Sequence, residues 1–261
     1  MTLLSVTGLD KSFGGVVAAR DVSFAVGRGE LVALIGPNGA GKSTTFNMVG
    51  GQLAPDAGTV TLDGADITGK PPRVIWRKGV GRTFQIAQTF VSMTVAENVQ
   101  VALQSALRST LGLWPSAHAL ARDDALALLA AVGMAKACDR PVSSLAYGDV
   151  KRVELAIALA AAPKLLLMDE PTAGMARRER NDLMTLAGQL ARERGIGILF
   201  TEHDMDAVFG HATRVLVLVR GEIVARGTPG EVQADPMVRR LYLGGLGARA
   251  AASAAVSRGA P

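Results

Sequence analysis

The sequence predicts an α/β fold in which a parallel sheet is joined by an antiparallel β layer and an inserted helical lobe. Three observations carry that prediction. Residues 31–35, 165–168 and 198–200 are short, continuous apolar runs, the pattern of parallel strands covered on both faces by helices. Val22, Phe24 and Val26, and again Val60 and Leu62, alternate with polar or small neighbours, the period of half-buried antiparallel strands. From Thr94 to about Ala137 the chain is rich in alanine and leucine at helical spacing, as in Leu126, Leu129 and Val132.

The strand at 31–35 runs directly into Gly36-Pro37-Asn38-Gly39-Ala40-Gly41-Lys42-Ser43, followed by Thr44. This spacing fits a phosphate-binding loop, whose glycines let successive backbone N–H groups curl around a β-phosphate. Lys42 would place a point charge on the β/γ oxygens, and the Ser43 hydroxyl would hold Mg²⁺. A helix over 43–49, beginning near Lys42, would aim its positive dipole end at the same anion. A glycine-rich turn matching by accident would have no reason to sit between a buried strand and a helix.

The helical lobe is punctuated by Gly112, Pro115 and Gly133. A second helical run, 150–162, puts Val153, Ala156, Ile157 and Ala160 on one face. Residues 215–219 read as another strand, closed by the turn residues Arg220-Gly221-Glu222. The tail, 248–261, is mostly alanine, serine, glycine and arginine; it can bury little and is expected to be disordered or a frayed helix. No internal repeat is present.

An apolar content of 49% with only 4% aromatics describes an aliphatic core in a chain of 261 residues. No run approaches the ~20 uninterrupted apolar residues of a spanning helix; the longest candidate, 153–168, contains Glu154, Pro163 and Lys164. The opening Met1-Thr2-Leu3-Leu4-Ser5 lacks the charged and long apolar regions of a secretory signal. The one cysteine, Cys138, allows no internal disulfide and suits a reducing compartment, so a cytoplasmic placement is expected. The net charge of +5 is spread over scattered arginines with no cationic run and no interleaved aromatics. That disfavours a nucleic-acid surface and leaves a modest lean toward lipid headgroups.

The apolar run at 165–168 ends in Asp169-Glu170, and a buried strand needs a reason to carry two acids at its tip. Beside a phosphate loop, Asp169 is placed to hold Mg²⁺ directly or through water. Glu170 is placed to orient or deprotonate the attacking water. The plainer alternative is an exposed acidic turn before Pro171.

Leu145-Ala146-Tyr147-Gly148-Asp149, about twenty residues before that pair, resembles the signature loop of ABC ATPases, usually written L-S-G-G-Q. The resemblance extends over residues 1 to about 244. It implies a P-loop NTPase core (1–85 and 145–244), an antiparallel β subdomain and a helical subdomain (about 86–144, with the signature helix 149–162). It also implies ATP as ligand. Phe13 in Lys11-Ser12-Phe13-Gly14-Gly15 is similar to the family's adenine-stacking aromatic. Gln85 in Gly81-Arg82-Thr83-Phe84-Gln85 is similar to its Q-loop glutamine, a neutral group able to touch Mg²⁺ or water. His203 in Thr201-Glu202-His203-Asp204 is similar to its switch histidine, which meets the γ-phosphate. Outside the family context, Phe13 would read as a core aromatic, Gln85 as a surface residue and His203 as structural.

Within the family, Gly81 to Gln85, Leu145 to Gly148 followed by Lys151-Arg152-Val153-Glu154, and Glu202 to Asp206 resemble ATPase subunits of branched-chain amino acid uptake systems. The ending Val238-Arg239-Arg240-Leu241-Tyr242-Leu243-Gly244 fits too. Systems for urea and amides, aromatic acids, or lipid and lipopolysaccharide export share much of this wording. A soluble ATPase acting on nucleic acid or ribosomes is disfavoured, because such proteins often add a second cassette, a coiled-coil insert or a basic arm. The resemblance implies two multi-spanning permeases, a second ATPase subunit and, indirectly, an extracytoplasmic substrate-binding protein. It implies a peripheral position on the cytoplasmic face of the inner membrane. In such an assembly the signature loop, including Leu145, Ala146, Tyr147 and Gly148, serves an ATP held on the facing subunit.

Two departures matter. Ala146 stands where the signature usually has serine, with Tyr147 and Asp149 replacing a glycine and a glutamine. Ala176, in Thr172-Ala173-Gly174-Met175-Ala176, stands where many relatives carry aspartate. Both lie on surfaces expected to face a partner, so an asymmetric heterodimer is expected, with a homodimer as the alternative.

Overall fold

Two sheets organise the computed structural model, which describes residues 2–106 and 117–242. In chain order the strands and helices run β1 (Thr2–Phe13), β2 (Val16–Gly27), β3 (Leu31–Ile35), α1 (Lys42–Val49), β4 (Ala57–Leu62), β5 (Ala65–Asp66), α2 (Pro72–Arg77) and β6 (Val80–Thr83). The helical lobe follows, with α3 (Val95–Ala106), α4 (Ala117–Ala131) and α5 (Tyr147–Leu159). The chain returns through β7 (Leu165–Asp169), α6 (Arg177–Arg194), β8 (Gly197–Thr201), α7 (Met205–His211), β9 (Arg214–Val219), β10 (Glu222–Gly227), α8 (Pro229–Ala234) and α9 (Pro236–Tyr242).

The antiparallel sheet has the order β2-β1-β4-β5, and the larger sheet β10-β9-β3-β8-β7-β6. In the larger sheet β9, β3, β8, β7 and β6 are mutually parallel and only β10 runs against its neighbour. The continuous apolar runs are therefore the central strands: every residue of β3 and β8 is buried. Their two faces feed two cores. Val32, Leu34, Leu167, Leu199 and Leu216 pack with α1 residues Phe46 and Met48 against the antiparallel sheet. Ala33, Ile35, Leu166, Ile198 and Val215 pack on the other side with α6 and the helical lobe.

Turn chemistry closes the hairpins. Asp63-Gly64 and Arg220-Gly221 each put two successive residues at positive φ (52° and 77°, 49° and 84°), the geometry of a two-residue turn whose twist matches the strands. Helix α5 begins at Tyr147 and ends at Leu159, earlier at both ends than the 149–162 expected for it. Ala162, at φ 46°, and Pro163 beyond it cannot continue a helix. Gly112, Pro115 and the tail lie outside the described residues. None of the described helices is long and apolar enough to cross a membrane.

Ala146 and Ala176 occupy the N-cap positions of α5 and α6, both with extended backbone and neither giving a side-chain cap bond. The loss of polar atoms at these two positions therefore also leaves first-turn amides without a side-chain cap. Ala146→Ser is expected to stabilise the chain by about 0.5–2 kcal/mol. That corresponds to roughly 2–4 °C per kcal/mol in the thermal midpoint, measured by calorimetry. An unchanged midpoint would contradict the capping account.

Candidate nucleotide site

Strand β3 delivers the chain into the glycine loop at the carboxyl end of the parallel sheet, the edge where open α/β sheets bind ligands. Close packing explains the glycines. A Cβ on Gly36 would lie 2.2 Å from the Leu218 carbonyl oxygen, and one on Gly41 would lie 2.1 Å from that of Ala18. Gly39 and Gly41 also take φ of 78° and 101°, which side chains disfavour. Helix α1 starts at Lys42 with no side-chain cap bond, so its first amides face the loop without an intrahelical partner. A cavity of about 240 Å³ opens there, lined by residues 38–44, by 16–18 of the β2 hairpin end, and by Glu170 and His203.

Lys42 is buried, and its Nζ donates to the carbonyls of Gly36 (2.7 Å) and Pro37 (3.1 Å). Burial pushes its ammonium below the usual lysine range, while the nearby charges of Glu170 and Asp169 pull it back up.

Glu170 stands one residue beyond β7 with φ 45°, an uncommon conformation for a residue with a side chain. Its amide is held by the carbonyl (3.2 Å) and hydroxyl (3.1 Å) of Thr201 at the end of β8. The carboxylate is shared: Gln85 Nε2 donates to Oε2 at 2.8 Å, and His203 Nε2 lies 2.6 Å from Oε1. Asp169, the last residue of β7, accepts from Thr201 Oγ1 at 2.8 Å on one oxygen and from Arg82 at 3.4 Å on the other.

The structure thus gathers Lys42, Asp169, Glu170, Gln85 and His203 around the loop, although they come from well-separated stretches of chain. Phe13 is half-exposed at the β1–β2 hairpin, with the Lys11 ammonium 5.7 Å from its ring, and is no core aromatic. It does not line the cavity, but the hairpin it belongs to does. Leu145, Ala146, Tyr147 and Gly148 lie at the start of α5 and do not line this cavity; the Tyr147 hydroxyl donates to the backbone carbonyl of Gln85 (3.3 Å).

Several contributing residues were not assigned a role from sequence. Arg82 lies by the rings of Phe46 (5.4 Å) and Phe84 (5.3 Å) and bonds Asn47 Oδ1 as well as Asp169. The buried Glu202 carboxylate accepts from the amide of Thr172 and from the amide of His203, joining the loops after β7 and β8. Thr201, Lys151 and Glu154 also read as ordinary strand and helix positions. A polar residue in an apolar-periodic segment was the available signal for these positions.

The family model described as ABC transporter matches residues 19–173. The LivG high-affinity branched-chain amino acid transport ATP-binding protein of Salmonella typhimurium is 41% identical over 249 residues, 93% of this chain and 98% of that one. The lipopolysaccharide export system ATP-binding protein LptB of Acidithiobacillus ferridurans is 39% identical over 242 residues, covering 93% and 97%. Among solved structures, the ADP conformation of MJ1267, an ATP-binding cassette of an ABC transporter, superimposes with a TM-score of 0.81 at 32% identity, covering 94% of this chain and 99% of that one. The glycine loop, β7 and the helical lobe between them all fall inside the matched family region, and the chain belongs to the ABC transporter family of ATP-binding proteins.

Proposed function

We propose that this chain is the ATP-hydrolysing subunit of an importer for branched-chain or related amino acids. The observation that carries the catalytic part is the Glu170 carboxylate, held between Gln85 and His203 at the rim of the phosphate-loop cavity. ATP would lie with its phosphates against Gly36 to Thr44, its base against Phe13, and Lys42 on the β/γ oxygens. Glu170 orients or deprotonates the attacking water, and His203 meets the γ-phosphate. Gln85 links that acid to the loop leading into the helical lobe.

The Ser43 hydroxyl, the Asp169 carboxylate and the side-chain carbonyl of Gln85 would give an all-oxygen set that fits a hard divalent cation. Among the described residues no cluster of three His, Cys, Asp or Glu side chains forms a protein-only metal cage. A site completed by nucleotide phosphates suits Mg²⁺ better than such a cage. When bound, Mg²⁺ would neutralise charge on the phosphate oxygens. Asp169 would offer it a carboxylate whose two oxygens here accept from Thr201 and Arg82, and Ser43 stands in the first turn of α1.

A cavity of about 480 Å³, with Trp76, Phe84, Phe90 and Val101 in its wall, separates the core from the helical lobe. Ile86, Phe90 and Val91 are exposed apolar side chains on this edge. An exposed apolar patch of this kind suits a short cytoplasmic helix of a membrane permease. That docking would hold the chain at the cytoplasmic face of the inner membrane. Two permeases, a second ATPase subunit and an extracytoplasmic binding protein complete the assembly; nucleic acid has no part in it. The missing polar groups at Ala146 and Ala176 favour a heterodimer, because a facing subunit with a fuller signature would complete this chain's own ATP site. The amino acid cargo rests on the likeness to LivG together with the motifs at 81–85, 145–154 and 202–206. The likeness to LptB makes lipopolysaccharide export the second reading.

Glu170→Gln is expected to lower kcat for ATP by about 10²–10⁴ while leaving ATP affinity intact, measured by steady-state hydrolysis and nucleotide titration. Hydrolysis at the parent rate would remove Glu170 from the chemistry. The cargo is tested by purifying the native complex, identifying its companion chains and measuring uptake into vesicles. Two permeases, a second ATPase and leucine uptake support the proposal; lipopolysaccharide-export partners would replace it with the second reading.

A further inference from the structure

Helix α5 carries a polar stripe that runs from the exposed Tyr147 to the buried Lys151 and Glu154. Tyr147, Lys151 and Glu154 follow one another at spacings of four and three, so they share one face of the helix. Lys151 and Glu154 are each only 3% exposed. The Lys151 ammonium donates to the carbonyls of Phe84 (2.6 Å) and Gln85 (2.9 Å) and to Glu154 Oε2 (3.1 Å), which uses all three of its protons. Glu154 Oε1 accepts from the Phe84 amide at 2.8 Å. One turn earlier the Tyr147 hydroxyl donates to the same Gln85 carbonyl, and its ring lies 5.9 Å from the ammonium. The N–H and C=O of Phe84 and the C=O of Gln85 are thus gripped by one helix face. The next bond outward is Gln85 Nε2 to Glu170.

A buried ion pair seldom stabilises a fold more than an apolar pair of the same size. These two charges therefore need another reason to be there, and the loop backbone they hold supplies it. We propose that Lys151 and Glu154 are positioning residues for ATP hydrolysis. They fix the Phe84–Gln85 backbone to α5, and so tie the place of the Gln85 amide on Glu170 to the place of the signature helix. The inference rests on the catalytic reading of Glu170 given above. Its consequence is that a shift of α5, whether from a partner's ATP at its N-terminus or from a permease in the adjacent groove, moves Gln85 relative to the acid.

The test uses the full chain in its native complex in lipid, carrying Lys151→Met, Lys151→Arg or Glu154→Gln, beside the parent and Glu170→Gln. Lys151→Met is expected to lower kcat by about tenfold or more, since a displacement near 1 Å caused far from the chemistry can cost ~100-fold. The KM for ATP should stay within about twofold, because the phosphate loop is untouched. Amide hydrogen exchange over residues 80–90 should quicken, and Lys151→Arg, which keeps the charge and the donors, should recover most of kcat. Faster exchange with kcat unchanged would overturn the inference, as would kcat and KM failing together with no rescue by arginine. If Lys151→Met does not assemble, Glu154→Gln decides: it keeps an acceptor for the Phe84 amide but leaves the ammonium unbalanced. A lower kcat at constant KM supports the clamp, and an unchanged kcat removes it. Should Glu170→Gln hydrolyse ATP at the parent rate, the catalytic reading itself fails and the clamp with it. If Glu170→Gln is dead and the clamp variants are as active as the parent, the clamp alone falls.

Discussion

One carboxylate holds the site together. Glu170 sits just past the end of a buried strand, in a backbone conformation that costs on the order of 1–3 kcal/mol for a residue with a side chain. Its amide is pinned by both oxygens of Thr201, and its two carboxylate oxygens are divided between Gln85 and His203. Three separate loops therefore meet on a single acid. Moving any one of them changes the charge and hydrogen bonding beside the phosphate loop. The geometry depends on β7 and β8 running parallel and in register, with Asp169 opposite Thr201, which places both strand ends at the same level.

Around this acid the structure spends buried polar groups on joining loops. Glu202 ties the segment at Thr172 to the His203 amide. Asn98 of α3 holds both the amide (2.7 Å) and the carbonyl (3.0 Å) of Phe90. The α5 stripe holds the other end of that loop at Phe84 and Gln85. A buried polar group left unpaired would cost about 1–3 kcal/mol, so such networks specify one loop conformation sharply. The segment 86–89 lies between its two anchors and carries the exposed Ile86. Rigid ends around an exposed middle suit a segment that answers to a partner.

What was legible in the sequence was local. The apolar runs named the parallel strands because burial on both faces leaves no alternation to hide. The glycine loop was legible because close backbone crossings tolerate nothing larger at Gly36 and Gly41. Asp169 and Glu170 were legible as acids at a strand tip, whereas His203, Gln85 and Phe13 were legible only through the family resemblance. The nonlocal features were not. The sheet order, with β3 between β8 and β9, is set by crossovers that leave no mark in any short window. Arg82 belongs to a recognisable motif, yet its place by the Phe46 and Phe84 rings and beside Asp169 depends on α1 lying against β6 and on β7 pairing with it. Lys151 and Glu154 stand in the sequence only as part of a family motif, and tertiary burial alone reveals them as a grip on a loop. The end of α5 was read too late because alanines at 160–162 suit a helix, while the chain must turn before Pro163.

The proposed hydrolysis requires nucleotide phosphates in the glycine loop within reach of Lys42 and Glu170. A structure of the full chain with Mg²⁺ and a non-hydrolysable ATP analogue tests this most directly. The predicted result is a triphosphate against the amides of residues 38–44, with the Lys42 ammonium turned from the Gly36 and Pro37 carbonyls onto the β/γ oxygens and the Glu170 carboxylate facing the γ-phosphate. A nucleotide seated elsewhere, or a Lys42 still bonded to those carbonyls beneath a bound triphosphate, would contradict it.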